Sequence, residues 1–175
     1  MMKRVAFAFL HGLFGNRKAN YKDLLSLANR SKGKVVLELG SGKMVDGAYP
    51  YSAAPLFAEA KEFIMTDVNP TFGHRVLDAT TMGDRDKYEV ILCLSVLEHI
   101  YDYQKAIDNL HAALREGGQC VIFAPFGYPL HDEPGDYWRF TEHALRRMLS
   151  DFKELQITPR KHRKFPTGYF VIARK

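Results

Sequence analysis

Long apolar runs separated by polar, glycine-containing turns dominate this chain, and they predict its elements before any residue chemistry is considered. Val35-Val36-Leu37-Glu38-Leu39 is apolar and β-branched at its start, without polar alternation. That pattern suits a parallel strand covered on both faces. Glu62–Asp67, Arg75–Ala79 and Tyr88–Ser95 predict three further strands, the last being the most continuously apolar. The period then changes. Ala106, Ile107, Leu110, Ala113 and Leu114 recur at helical spacing, with Asp102 as N-cap and Gly117-Gly118 as the stop. Cys120–Ala124 returns to strand. Thr141 caps another helix with Leu145, Met148, Leu149 and Phe152 on its inner face, and Lys153–Thr158 and Gly168–Ala173 are strand-like. Upstream, Tyr21–Ala28 predicts an amphipathic helix over one side of the sheet. Ser52-Ala53-Ala54-Pro55 opens only a short helix ending near Lys61, so the first crossover reads as mostly loop.

The chemistry collects at strand ends. Gly40 and Gly42 leave the turn after the first strand without side chains, so a ligand can approach the backbone. Glu38 interrupts the apolar run just before it, and a buried carboxylate there is costly unless paired. Asp67, at the tip of the second strand, can accept hydrogen bonds from both hydroxyls of a ribose, each worth about 1.5–3 kcal/mol. Asp78 ends the third strand. Together these acids outline a nucleoside crevice.

The stretch Pro125 to Phe140 is long for a connection without periodicity, and such loops are usually lids or binding loops. It carries Phe126, Tyr128, His131, Asp132, Glu133, Asp136, Tyr137, Trp138 and Arg139, an aromatic wall with a few polar groups that suits a small-molecule pocket. Part of it has a plainer role, in which Trp138 and Phe140 pin the loop to the core while Arg139 pairs with a nearby acid.

At 175 residues the chain reads as one domain, with 1–33 as a helical and aromatic extension and 34–175 as the core. A net charge of +5 modestly favours an acidic partner or substrate. Cys93 and Cys120 fall in neighbouring strands and read as core residues of a reducing, cytoplasmic compartment. No metal-ligand spacing and no Ser-His-Asp arrangement stands out, so no metal site is expected. Lys3-Arg4 and the apolar run after them mimic a short signal peptide, but His11 and Gly12 interrupt it. The stretch Met1 to Gly15 is therefore expected to be an aromatic flap packed on the domain, and no transmembrane segment is expected. The basic run Arg160–Lys164 reads as a solvated hairpin tip, with phosphate contact as the alternative. Nucleic acid is thus a disfavoured partner, and oligomeric state is open.

The pieces LELGSG (37–42), TDVNP (66–70), LDAT (77–80), VILCLSVLEHI (90–100), LREGGQCVIFAPF (114–126) and PLHDEPGDYWRFT (129–141) occur in an order that resembles the Rossmann-like S-adenosylmethionine-dependent methyltransferases. The last piece resembles a small-molecule and glycan-biosynthesis branch. The resemblance implies a single-domain α/β fold with a seven-stranded, mostly parallel sheet, a C-terminal antiparallel hairpin and helices on both faces. It implies S-adenosyl-L-methionine as cofactor, bound by Glu38, Gly40, Ser41, Gly42, Asp67, Val68, Asp78, Ala79 and Ser95. Glu38 would answer the amino group of the methionine moiety, Asp67 the ribose, Asp78 with Ala79 the adenine, and Ser95 the amino acid part. Two departures stand out: Val45 occupies the place of the usual third glycine, and Asp67 follows Gly40 at more than the usual spacing of about 20 residues. The extra length is Val45 to Pro55, and Pro50-Tyr51 is expected beside the cofactor.

Methyl transfer from a sulfonium chiefly needs the nucleophile aligned. A hydroxyl or amine acceptor also needs a base, and imidazole ordinarily titrates near neutral pH. His131 is the first candidate and Asp136 the second. His99, Phe126, Tyr128, Tyr137, Trp138 and Arg139 are candidates to line the acceptor pocket. A non-catalytic relative acting as a partner protein is the alternative. An NAD-dependent oxidoreductase is disfavoured by Val45 and by Glu38 at a usually apolar strand position.

Overall fold

The computed structural model describes residues 17–48 and 50–175. The expected flap over Met1 to Gly15 lies outside them. Seven strands form one sheet in the order β3-β2-β1-β4-β5-β7-β6. They are β1 (Val35–Leu39), β2 (Glu62–Asp67), β3 (Arg75–Val76), β4 (Tyr88–Leu94), β5 (Leu114–Pro125), β6 (Glu154–His162) and β7 (Phe165–Arg174). The first five run parallel, β7 lies antiparallel to β5, and β6 closes the hairpin on β7. The α/β sheet with its antiparallel end is the expected one.

Both faces of the central strands are buried, which explains why they are mostly apolar without polar alternation. Leu37, Ile91, Cys93, Ile122 and Val171 face helix α2 (Tyr103–Ala113) and helix α3 (Glu142–Met148) through Ile107, Leu110, Leu145 and Leu149. The alternate residues Val36, Val90, Leu92, Val121 and Phe170 face helix α1 (Arg17–Arg30) through Leu24, Leu27 and Ala28. The caps lie where expected: Asp102 accepts from Lys105 N–H, and Thr141 from Ala144 N–H. Cys93 and Cys120 are free and buried. No described helix is long and apolar enough to cross a membrane.

Several boundaries differ from expectation, each for a local reason. The third strand stops at Val76, because after Leu77 N–H bonds Asp67 the Asp78 carboxylate captures Thr80 N–H and turns the chain. Leu114 opens β5 rather than closing α2, pairing with Tyr88 ahead of a register shift in the ladder. The helix expected over Ser52–Lys61 is a single 3-10 turn, Ala54–Phe57. The basic run is not wholly a solvated tip. Arg160 is buried in β6, where it donates to Asn20 and Asp23 of α1 and lies 4.6 Å over the Phe170 ring.

Candidate functional site

At the carboxyl end of β1 the backbone turns through two left-handed glycines, Gly40 at φ 65° and Gly42 at φ 72°. A Cβ on Gly40 would stand 2.6 Å from Val96 Cγ2, so this turn and the segment after β4 lie close together. A Cβ on Gly42 would meet the Tyr51 ring at 3.0 Å. Tyr51 thus lies against the glycine turn, in the region where the Pro50-Tyr51 segment is expected to border a ligand.

Glu38, only 2% exposed, is fully engaged. Oε2 accepts from Ser41 Oγ at 2.8 Å and Ser52 Oγ at 2.5 Å, and Oε1 accepts from Ala53 N–H at 2.7 Å. Burial pushes its carboxyl above the usual range, against the opposing pull of those three donors. The carboxylate ties the long first crossover to the glycine turn. Asp67 does similar work one strand over, accepting Gly42 N–H and Asn69 N–H at 3.0 Å each. With one donor on each oxygen it keeps lone pairs for a further ligand. Val68 beside it is exposed. Asp78 is exposed and spends one oxygen on Thr80, while the Ala79 carbonyl is held by Asn109. Ser95 is exposed at φ 57°, a left-handed conformation that a non-glycine residue adopts at a cost and that collects at functional sites.

A second cluster follows β4. Leu97–His99 forms a 3-10 turn whose Glu98 is 0% exposed, and neither carboxylate oxygen has a hydrogen-bond partner among the described residues. Burial pushes this carboxyl up to about 8. His99 Nε2 and His131 Nε2 each stand 3.9 Å from Glu98 Oε1, and the two rings meet edge-on at 4.8 Å. The three ligand atoms lie within 4.8 Å of one another.

Around this cluster the 125–140 loop is firmly tied. Glu98's own carbonyl accepts from Tyr137 N–H and Trp138 N–H. Trp138 Nε1 donates to Ile100, and its ring packs on Tyr103, itself edge-on to Phe140. Arg139 grips Asp136 through two bonds of 2.6 and 2.7 Å, and Asp136 also accepts His131 N–H. The Arg139 guanidinium is the main reason Asp136 falls to about 2, with burial opposing it. Phe126 meets Tyr169 edge-on, Tyr128 meets His131 edge-on, and Tyr137 is exposed beside Tyr101. Of the loop residues singled out in the sequence, Tyr128, His131, Asp136 and Arg139 are brought together beside His99, while Phe126 lies against Tyr169; Glu98 is the member that pattern reading missed. Its only linear signal is a Glu-His pair immediately after the most apolar strand.

Acids and a glycine turn at the carboxyl ends of β1 and β2, on a sheet of this order, define a Rossmann-like nucleoside-binding protein. The chain belongs to the methyltransferase domain family, whose match spans residues 13–157. Solved methyltransferases share its fold. A SAM-dependent methyltransferase from Archaeoglobus fulgidus is 16% identical with a TM-score of 0.67, covering 97% of this chain and 99% of that one. The N-methyltransferase NodS from Bradyrhizobium japonicum WM9, solved with S-adenosyl-L-homocysteine, is 18% identical with a TM-score of 0.63, covering 92% and 88%. The Burkholderia thailandensis 1,6-didemethyltoxoflavin-N1-methyltransferase, solved with 1,6-didemethyltoxoflavin and S-adenosylhomocysteine, is 21% identical with a TM-score of 0.56, covering 99% and 87%. The chain spans only 49% of the CurJ carbon methyltransferase that it also matches. No curated protein matches it in sequence.

Proposed function

We propose that this protein is an S-adenosyl-L-methionine-dependent methyltransferase acting on a small-molecule acceptor held beneath the 125–140 loop. The observation that carries this reading is a glycine turn and a ribose-competent acid adjoining a second, polar cluster walled by aromatic rings. The side-chain-free cradle at Gly40 and Gly42 fits a nucleoside thioether, and the lone pairs left on Asp67 fit its ribose. The cofactor supplies a methyl group already activated by a positive sulfur.

The chain's own residues bind and align. Asp67 would hold the ribose, exposed Val68 would lie against the base, and Asp78 with Ala79 would frame its edge. Ser41, Glu38 and Ser95 would border the amino acid end. Because Glu38 already accepts three protein donors, its contribution is chiefly to hold the crossover in place. On the acceptor side, Phe126, Tyr128, Tyr137 and Trp138 would form the wall. His131 and His99 would stand at the floor of that pocket, each with Nε2 toward Glu98. Asp136, clamped by Arg139, acts as the positioning group for His131 rather than as a base. The buried free cysteines support a cytoplasmic setting.

Titration calorimetry with S-adenosylhomocysteine tests the reading. The unaltered chain should bind it, and Asp67→Ala should weaken binding by at least roughly 100-fold, from the loss of two ribose bonds at about 1.5–3 kcal/mol each. Equal binding by Asp67→Ala would remove the nucleoside from this crevice.

A further inference from the structure

We propose that Glu98, His99 and His131 bind one divalent metal ion of the zinc type. Glu98 is 0% exposed with both oxygens lacking a hydrogen-bond partner among the described residues, whereas buried polar groups in folded proteins are almost always partnered. At 3.9 Å neither histidine Nε2 is within hydrogen-bond distance of it. His99 Nδ1 lies 2.9 Å from the Gly135 carbonyl, an atom that can only accept, so Nδ1 carries a proton and in the neutral ring Nε2 bears the lone pair. His131 Nδ1 lies 3.1 Å from the Pro129 carbonyl and 3.2 Å from Asp136 Oδ2, with the same consequence. With Glu98 ionised and both rings neutral, the forms that bind a metal, three acceptors converge, and no cation among the described residues lies between them. An organic acceptor donating one hydrogen bond would satisfy one of these groups and leave the others facing each other, whereas a cation satisfies all three.

The spacing is slightly wider than that of a filled site. Ligand atoms at about 2.0–2.2 Å from a zinc-type ion stand roughly 3–4 Å apart, whereas Glu98 Oε1 is 3.9 Å from each Nε2 and the three atoms lie within 4.8 Å, so an ion would draw them a little closer. Each ring is oriented by a carbonyl or carboxylate on its far nitrogen, the arrangement that metal-binding histidines require. Two imidazoles with one carboxylate favour zinc or iron over magnesium, calcium or manganese. The protein fills three positions and leaves at least one open for a ligand beneath the loop.

The purified full chain, stripped with a chelator, should take up one Zn²⁺ per molecule by calorimetry, and Co²⁺ should develop visible bands at the same stoichiometry. Mg²⁺ at equal concentration should leave those bands unchanged. Glu98→Gln and His131→Gln should each weaken uptake by at least about 100-fold, and Asp136→Asn by about 10-fold through the orientation of His131. S-adenosylhomocysteine titration of each variant reports whether it is folded, independently of the ion. Absence of stoichiometric Zn²⁺ uptake by the unaltered chain would overturn the assignment, as would equal uptake by folded Glu98→Gln. Either result would leave the methyltransferase reading standing, since that reading falls only with cofactor binding.

Discussion

Glu38 and Glu98 sit at the carboxyl ends of the neighbouring strands β1 and β4, both buried, and their surroundings treat them in opposite ways. Glu38 meets two serine hydroxyls and a backbone N–H within 2.8 Å. Glu98 has no hydrogen-bond partner of ordinary geometry among the described residues, only a weaker pull from its own N–H and the Arg139 charge, and its Oε1 lies 3.9 Å from each of two imidazole nitrogens. Burial raises both carboxyls, but at Glu38 three donors push back. The difference separates two uses of a buried acid. One finishes the fold by fastening a loop, and the other keeps its bonding capacity for something that arrives later.

The largest test of that contrast is Glu38→Leu. It takes away the acceptor of the Ser41 hydroxyl, the part-buried Ser52 hydroxyl and Ala53 N–H, and unsatisfied buried donors cost about 1–3 kcal/mol each. With partial rehydration we expect a loss of about 3–5 kcal/mol. At ~2–4 °C per kcal/mol for a chain of this size, the melting temperature should fall on the order of 10 °C. The same substitution at Glu98, measured in chelator, should have the opposite sign. Replacing a buried acid that lacks partners by an apolar side chain of similar volume removes its desolvation cost, so the melting temperature should hold or rise. Calorimetric melts of the two variants side by side decide it. Parallel falls would mean that Glu98 has partners of its own and that the contrast is false.

How far this was legible from the residues follows from the same pair. The strands could be read because both faces are covered, so β1, β4 and the second half of β5 are mostly apolar without polar alternation, whatever the detail of packing. The Gly40–Gly42 turn and Asp67 could be read because turn geometry and strand ends leave local marks. Glu98 could not, because its isolation depends on His131, brought up by a distant loop. Arg160 was hidden likewise. In a basic run it looks solvated, and only the docking of α1 supplies Asn20 and Asp23. Even the third strand was cut short by a side chain, Asp78, outcompeting the ladder for a backbone N–H. Periodicity reports what an element buries, whereas the partner of a charge comes from wherever the topology returns the chain.

A third acid sharpens the contrast with the smallest effect. Asp84 lies just ahead of β4 and accepts from the Tyr88 hydroxyl and Arg75 at 2.8 Å and from Lys87 at 3.1 Å. Partial burial would raise its carboxyl, but these three donors outweigh burial and hold it below the usual range. Like Glu38 it is well partnered, yet its side chain is 15% exposed and desolvation is too weak to win. The sign of the linkage follows. A carboxyl depressed in the fold contributes stability that is fully present above the unfolded value of about 4 and is lost as pH falls through the lower folded value. Asp84→Asn should therefore melt slightly below the unaltered chain at pH 7, by about 1 kcal/mol or less given solvent screening of its two cationic partners. The gap should close as the pH is taken below 4. A gap that stayed constant through that range would make the Asp84 contribution one of shape and hydrogen bonding alone. A gap that widened on acidification would mean that burial, as at Glu38, governs this carboxyl too.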